Sequence, residues 1–77
     1  MPRKSLRSKK ALQTFARNMR SRRQAAGLSQ MALADKAGCH FTFIGRLERA
    51  ESNVTLDNIV RIAKSLDCKV VELLSGL

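Results

Sequence analysis

An all-α fold, built from five helices in one compact domain, is the architecture that this sequence predicts. The chain has 77 residues with one proline and neither tryptophan nor tyrosine, so turn formers and aromatic strand formers are scarce. A chain of this length buries only about 60% of the surface that its unfolded form exposes, which leaves room for a single core. Hydrophobic residues make up 44% of the sequence, too many for a disordered basic tail, and they recur at helical spacing.

The first predicted helix runs from about Lys9 to Ala26. Its apolar residues share one face of a helical wheel: Leu12, Phe15, Ala16, Met19 and Ala26. Arg23 falls in the middle of that face, and a guanidinium buried there requires a carboxylate partner. Glu48, on the core side of the third helix, is the natural partner for a structural ion pair. Gly27 suits the left-handed position just beyond the end of a helix.

Two short helices follow, separated by a tight turn. Ser29 is a good N-cap for a helix over about Gln30 to Ala37, and Gly38 ends that helix in the way that Gly27 ends the first. The third helix covers about residues 41–49, after a turn of about three residues. A turn this short that contains glycine, between two short helices, is typical of a helix-turn-helix unit.

The third helix has two dissimilar faces. On a helical wheel, Ile44 and Leu47 point to the core and Phe43 lies at its edge. The opposite face consists of small and cationic residues: Thr42, Gly45, Arg46 and Arg49. Such a face can enter the major groove of DNA, which is wide enough to admit one α-helix. Phe41 lies at the N-terminus of the helix, where the side chains that read bases cluster.

Helices over about residues 56–66 and 70–75 complete the domain. Thr55 can cap the fourth helix, with Asp57 in its first turn, and residues 50–54 form a loop. The apolar arc of the fourth helix is wider than one core-facing stripe needs and continues into the last helix. We therefore expect an isologous homodimer interface that includes four of these residues: Ile62, Leu66, Val71 and Leu74.

Positive charge is concentrated in the N-terminal third. The chain holds 15 lysines and arginines against six acids, a formal net charge of +9. Residues 1–24 contain nine of these bases and no acid, whereas residues 25–77 contain six bases and six acids. Residues 1–8 are basic and non-periodic and predict a flexible arm before a DNA-binding domain over residues 9–77. The excess predicts affinity for nucleic acid that depends on salt but not on sequence.

Several positions together resemble one DNA-binding family. They are Gly27-Leu28-Ser29-Gln30, Leu33-Ala34, Ala37-Gly38, Ile44, Leu47-Glu48-Arg49, Leu56, Ile59, Ile62-Ala63 and Leu66. The pattern resembles the Cro/C1-type (XRE) helix-turn-helix family over about residues 12–74. The run from Glu48 to Leu56 looks most like the controller proteins of restriction–modification systems. The resemblance implies a lambda-repressor-like domain that binds a pseudo-palindromic operator in double-stranded DNA as a homodimer. It also implies a transcriptional regulator of its own gene and the endonuclease gene.

Individual residue roles follow from the matching positions. Three residues would face bases: Phe41, Thr42 and Arg46. Four would hold the DNA backbone: Gln30, Arg49, Ser52 and Asn53. Arg17 and Arg20 on the first helix are expected to join them through charge. Arg46 is the best candidate for a bidentate hydrogen bond to guanine. Two features depart from the family pattern, since Ala50 stands where glycine is usual and His40-Phe41 where polar residues are common.

Other functions find little support in the sequence. It lacks a nucleophile–base–orienter set and a glycine-rich phosphate loop, so no catalytic residue is predicted and the protein is not expected to be an enzyme. Cys39, His40 and Cys68 lack the spacing of metal ligands, and neither a metal, a cofactor nor a small-molecule ligand is expected. The two cysteines are expected to be buried thiols.

Localisation and partners are the last expectations. No apolar run approaches a membrane span and no signal peptide follows the basic start, so we expect a cytoplasmic protein. The resemblance to controller proteins implies a bacterial one that is associated with the nucleoid when bound to its operator. RNA polymerase is a further candidate partner. An antitoxin or a phage-type repressor would share the same domain. A module that binds a protein partner, with DNA contact secondary, is the alternative of another class.

Overall fold

The computed structural model describes residues 5–6 and 8–77, and within them the chain forms five helices and one pair of short strands. In chain order the elements are β1 (Ser5–Leu6), α1 (Lys9–Ala25), α2 (Gln30–Ala37), α3 (Phe41–Glu48), β2 (Val54–Thr55), α4 (Leu56–Ser65) and α5 (Val70–Leu73). The helices confirm the predicted fold class, and four of them end one or two residues earlier than predicted. None of the described helices is long and apolar enough to cross a membrane.

Local sequence explains where the helices begin and end. The side-chain oxygens of Ser8, Ser29 and Thr55 accept backbone N–H groups of α1, α2 and α4 at 3.4, 2.9 and 3.2 Å. These bonds satisfy donors that the first turn of a helix otherwise leaves free. Gly27 and Gly38 both have a φ of 70°, a conformation in which a Cβ would be strained. The predicted N-caps Ser29 and Thr55 and the predicted stops Gly27 and Gly38 are confirmed.

The strand pair connects the N-terminal segment to the residues that precede α4. Ser5 pairs with Thr55 and Leu6 with Val54 in antiparallel register. The sequence predicts a flexible arm over residues 1–8, so the structure corrects that expectation for Ser5 and Leu6. Two residues are too few to show the alternation by which a strand is recognised. The remainder of the arm before Ser8 lies outside the described residues.

Every helix contributes to the core. Its largest fully buried side chains are Phe15, Met19, Leu33, Ile44, Leu47, Val54, Ile62 and Leu73. Each side chain of this size contributes roughly 1.5–3 kcal/mol when it leaves water. Phe43 is half-buried and packs against this core, in agreement with its predicted place at the edge. The buried face of α3 therefore determines which of its residues remain outside.

Two residues predicted for a dimer interface belong to this core. Ile62 and Leu66 are 1% and 7% exposed, so they are already covered within one chain and offer no surface to a partner. The apolar arc of α4 is wide because the helix packs against α2, β2 and α5. Of the four predicted interface residues, Val71 is exposed and Leu74 is half-buried.

Arg23 and Glu48 form the ion pair that their positions predict. Arg23 donates to Glu48 through Nε at 2.5 Å and through Nη2 at 3.1 Å, and the two side chains are only 13% and 4% exposed. Hydrogen bonding to the carboxylate raises the pKa of the Arg23 guanidinium. Arg23 also donates to the carbonyl oxygen of Leu28 at 2.8 Å, and the Gln30 amide donates to Glu48 at 3.0 Å. This network holds α1 and the start of α2 against α3.

Candidate nucleic-acid interface

The helix α3 presents one buried and one accessible face. Ile44 and Leu47 are fully buried, whereas Thr42, Arg46 and Arg49 are exposed. Between them lies Gly45, which is covered by side chains of the same chain. A Cβ added at Gly45 would approach Nη1 of Arg49 to 3.2 Å. The glycine therefore lets the Arg49 side chain lie close against the helix.

The residues predicted to face bases share one cleft between α2 and α3. The cleft is lined by Gln30, Phe41, Thr42, Gly45, Arg46 and Arg49. All three predicted base-reading residues are among them, together with two of those predicted to hold the backbone. Phe41 is 44% exposed, so its ring is accessible from this cleft. The cleft therefore combines two guanidinium groups, an amide, a hydroxyl and an apolar ring.

A second cleft lies between α1 and the end of α3. Its charged lining includes Arg17, Arg20 and Arg49, with Gln13 and Gln24 on its walls. Arg49 lines both clefts, so the two adjoin. Within the part of the chain that the structure describes, neither Arg17 nor Arg20 belongs to an ion pair. Free guanidinium groups on a shared surface attract phosphate, to which they donate strong charge-assisted hydrogen bonds.

The loop after α3 has a defined backbone despite its departure from the family pattern. Ala50 adopts the left-handed conformation with a φ of 57°. Its N–H donates to Leu47 at 3.0 Å, and that of Glu51 donates to Arg46 at 2.9 Å. These two bonds form a Schellman motif, in which the left-handed position is usually glycine. Alanine at this position therefore keeps the same turn as glycine, but its backbone is strained by the positive φ.

The other predicted backbone-contacting residues lie in the same loop but outside both clefts. Ser52 is half-buried and donates to the carbonyl oxygen of Asn53 at 3.4 Å. Asn53 is exposed.

Arg49 forms an exposed ion pair with Glu51 at 2.9 Å. Exposed pairs of this kind contribute about 0–1 kcal/mol, so Arg49 can exchange this carboxylate for another anion at little cost.

His40 has a role that the sequence reading missed. It is the N-cap of α3, where its Nδ1 accepts the N–H of Thr42 at 3.2 Å and lies 2.6 Å from Oγ1 of the same residue. Its ring stacks on that of Phe41, with centroids 4.9 Å apart and planes inclined by 25°. The available signal was its position immediately before the third helix, but histidine is not among the common N-cap residues.

The two cysteines pack against the core and line neither of the two clefts. Both Cys39 and Cys68 are half-buried, and burial raises the pKa of each thiol. A thiol with a raised pKa is a weaker nucleophile and metal ligand at neutral pH, because the thiolate is the reactive form. Both behave as small apolar side chains.

Comparison with known proteins gives a helix-turn-helix family and a control protein as matches. The HTH_3 (Helix-turn-helix) family model matches residues 19–73. The control protein C.SmaI of Serratia marcescens is 46% identical over 61 residues, which cover 79% of this chain and 73% of that protein.

Two solved structures extend the comparison to three dimensions. The restriction-modification controller protein C.AhdI from Aeromonas hydrophila has a TM-score of 0.79 and 40% sequence identity, over 80% of this chain and 94% of that one. The P22 c2 repressor in complex with a synthetic operator has a TM-score of 0.74 and 28% identity, over 82% of this chain and 96% of that one.

Proposed function

Because the chain belongs to the helix-turn-helix family HTH_3, the Cro/C1 (XRE) type, we propose that it is a sequence-specific DNA-binding regulator of transcription. Its relative C.SmaI and its structural neighbour C.AhdI are both controller proteins. By this similarity, the chain is the controller of a restriction–modification system and regulates its own gene and the endonuclease gene. The protein binds a pseudo-palindromic operator as a homodimer.

The observation that carries this proposal is the cleft that joins α2 and α3. It gathers a guanidinium, a hydroxyl and an exposed aromatic ring on the accessible side of a helix whose other side is fully buried. When α3 lies in the major groove, Arg46 donates two hydrogen bonds to O6 and N7 of a guanine. The ring of Phe41 contacts a thymine methyl, and the Thr42 hydroxyl bonds a base edge. These contacts specify the site.

The adjoining arginine cleft holds the DNA backbone. Arg17, Arg20 and Arg49 donate to phosphates on one side of the groove. The Gln30 amide has two N–H donors, and its hydrogen bond to Glu48 leaves the second for a phosphate. Ser52 and Asn53 contact the backbone from the loop after α3. These contacts fix the register of α3 in the groove without reading the sequence.

A homodimer places two copies of α3 on successive turns of DNA. One helix reads too few base pairs for a unique site, and dimers of this motif bind half-sites about 34–36 Å apart. The exposed Val71 and the half-buried Leu74 are the members of the predicted interface that remain accessible. Such a dimer acts in the bacterial nucleoid. If it activates transcription there, RNA polymerase is the partner that it contacts.

Selection of binding sites from random DNA tests this function. The wild type should enrich a two-fold symmetric sequence. Arg46→Ala should relax the preference at one or two base pairs in each half-site, by a factor that corresponds to roughly 1–3 kcal/mol.

Arg61→Ala is the matched control for this variant. Arg61 is an exposed arginine on α4 that lines a separate cleft with Lys36 and Lys64. Its replacement should leave the selected sequence unchanged. A wild type that enriches no sequence, or an Arg46→Ala variant with unaltered base preferences, contradicts the proposal.

A further inference from the structure

We propose that His40 is a positioning residue that sets the base preference of α3. It holds the Thr42 hydroxyl so that Oγ1 can only accept hydrogen bonds, and Thr42 then selects a base that carries an exocyclic amine, cytosine or adenine. The inference rests on the proposed function, in which Thr42 faces a base. Its evidence is the geometry at the N-terminus of α3.

The hydrogen bonding of the imidazole determines its tautomer. Nδ1 of His40 lies 3.2 Å from the backbone nitrogen of Thr42. A backbone N–H can only donate, so Nδ1 is the acceptor and carries no proton. The proton of the neutral ring is therefore on Nε2, and Nδ1 offers a lone pair to the first turn of α3.

The same lone pair orients the threonine hydroxyl. Oγ1 of Thr42 lies 2.6 Å from Nδ1 of His40. Since Nδ1 has no proton to give, the hydroxyl donates its single hydrogen to the ring. The lone pairs of Oγ1 are then the only hydrogen-bonding groups that Thr42 presents outward. A side chain that is both donor and acceptor in isolation becomes an acceptor on this helix.

Stacking on Phe41 holds the imidazole in this position. The two ring centroids are 4.9 Å apart and the planes are inclined by only 25°, although both side chains are exposed. The neighbouring ring limits the rotamers that the exposed imidazole can adopt. The backbone hydrogen bond and the stacked ring restrain His40 from two sides.

The fixed direction of the hydroxyl has a consequence for recognition in the major groove. Cytosine presents its N4 amine there and adenine its N6 amine, whereas guanine and thymine present carbonyl oxygens. A free threonine hydroxyl bonds either class, because it can rotate. With its hydrogen committed to His40, Oγ1 accepts from an amine and faces a carbonyl oxygen with its own lone pairs. His40 thus makes Thr42 selective without touching DNA.

Binding-site selection on four proteins tests the inference: wild type, His40→Ala, Thr42→Val and the double variant. The wild type should prefer cytosine or adenine at the position that Thr42 reads. His40→Ala should reduce that preference by about fivefold, the ratio that corresponds to one net hydrogen bond. Thr42→Val keeps the shape of the side chain without the hydroxyl, and it should reduce the preference equally. When Thr42→Val is already present, the change at His40 should have no further effect on base preference.

Two more variants separate positioning from helix capping. His40→Asn keeps a side-chain oxygen at the N-cap that can accept from the same two donors, so it should retain the wild-type preference. His40→Gly removes the side chain, but glycine is tolerated at N-caps at a cost of only a few tenths of a kcal/mol. This variant should therefore fold and lose the preference even where His40→Ala is too unstable to assay.

The outcomes are distinct. If His40 acted only through helix stability, its variants would weaken binding to all sequences equally and the four-protein comparison would show no change at a single base pair, which overturns the inference. Enrichment of guanine or thymine at that position by the wild type also overturns it, as does a Thr42→Val variant that selects the wild-type sequence. A wild type that enriches no sequence at all refutes the proposed function instead.

Discussion

At the scale of single residues, position 50 shows how the backbone conformation of one residue influences stability. Ala50 has a φ of 57° at the end of α3. A left-handed backbone costs an L-residue roughly 1–2 kcal/mol, because its Cβ comes too close to the following carbonyl oxygen. The Schellman hydrogen bonds and the packing of the neighbouring residues hold the conformation in place. The strain therefore lowers the free energy of unfolding.

Ala50→Gly should stabilise the protein. Removal of Cβ relieves the left-handed strain. This gain exceeds the cost of the greater chain entropy of glycine in the unfolded state and of the lost half-buried methyl group, so the free energy of unfolding should rise by roughly 0.5 kcal/mol. In a domain of this size the midpoint of thermal unfolding should rise by roughly 2–4 °C. Thermal unfolding followed by circular dichroism measures the shift.

Ala26→Gly is the control for this substitution. Ala26 ends α1 with a φ of −81°, a conformation that alanine adopts without strain, and it is exposed. Glycine there should lower the midpoint, because it adds only chain entropy to the unfolded state. Equal effects of the two variants would show that Ala50 is not strained.

At the scale of elements, α5 depends on α1 for its stability. A helix of four residues is too short to be stable in isolation. Asn18 on α1 donates to the carbonyl oxygens of Leu73 and Ser75 at 2.9 and 2.8 Å, which satisfies groups at the end of α5. At the start of α5, Glu72 accepts the backbone N–H of Lys69 at 2.8 Å and pairs with Arg22 on α1.

Replacement of Glu72 by glutamine should destabilise the protein in a pH-dependent manner. The hydrogen bond from the Lys69 backbone and the nearby charge of Arg22 lower the pKa of the Glu72 carboxyl. A lowered folded-state pKa contributes stability that is present above the unfolded value of about 4.3 and is lost as the pH falls through the folded value. Wild type and Glu72→Gln should therefore differ in denaturant midpoint near neutral pH and converge on acidification. A difference that is the same at every pH would contradict this assignment.

At the scale of the whole molecule, the distribution of apolar surface decides how two copies could meet. Because Ile62 and Leu66 are buried, neither the C-terminal half of α4 nor its C-cap offers these side chains to a partner. The exposed Val71, 68% accessible, and the adjacent Leu74 then form the accessible part of the predicted interface. A dimer built on them would lie on α5, which the anchors to α1 hold in place.

Val71→Glu should weaken the proposed homodimer about tenfold or more, because the substitution would place a desolvated charge in the proposed interface. Sedimentation equilibrium over a range of concentrations measures the dissociation constant. Met31→Glu is the control, since Met31 is a 56% exposed apolar residue on α2, away from α5. Dimerisation that is unaffected by Val71→Glu would place the interface elsewhere, and a wild type that stays monomeric at tens of micromolar would contradict the dimer itself.

The sequence by itself determined the features that depend on near neighbours in the chain. Helical spacing of apolar residues, the caps Ser29 and Thr55 and the stops Gly27 and Gly38 defined the helices, since each acts within about one turn. The position of Arg23 on the helical wheel predicted a buried carboxylate partner, because an unpaired charge in a core is too costly. The accessible face of α3 followed from the same wheel. These local rules therefore indicated most of the fold and the central residues of the candidate site.

Only the tertiary structure decided the features that depend on residues distant in sequence or on exact side-chain geometry. It paired Ser5–Leu6 with Val54–Thr55, and it enclosed Ile62 within the monomer. It also brought Nδ1 of His40 within hydrogen-bond distance of Oγ1 of Thr42. A helical wheel shows which direction a residue faces but not what lies there, so it cannot distinguish a surface covered by the chain's own elements from one left for a partner. Hydrogen bonds require positions within tenths of an ångström, and only the packed chain sets those positions.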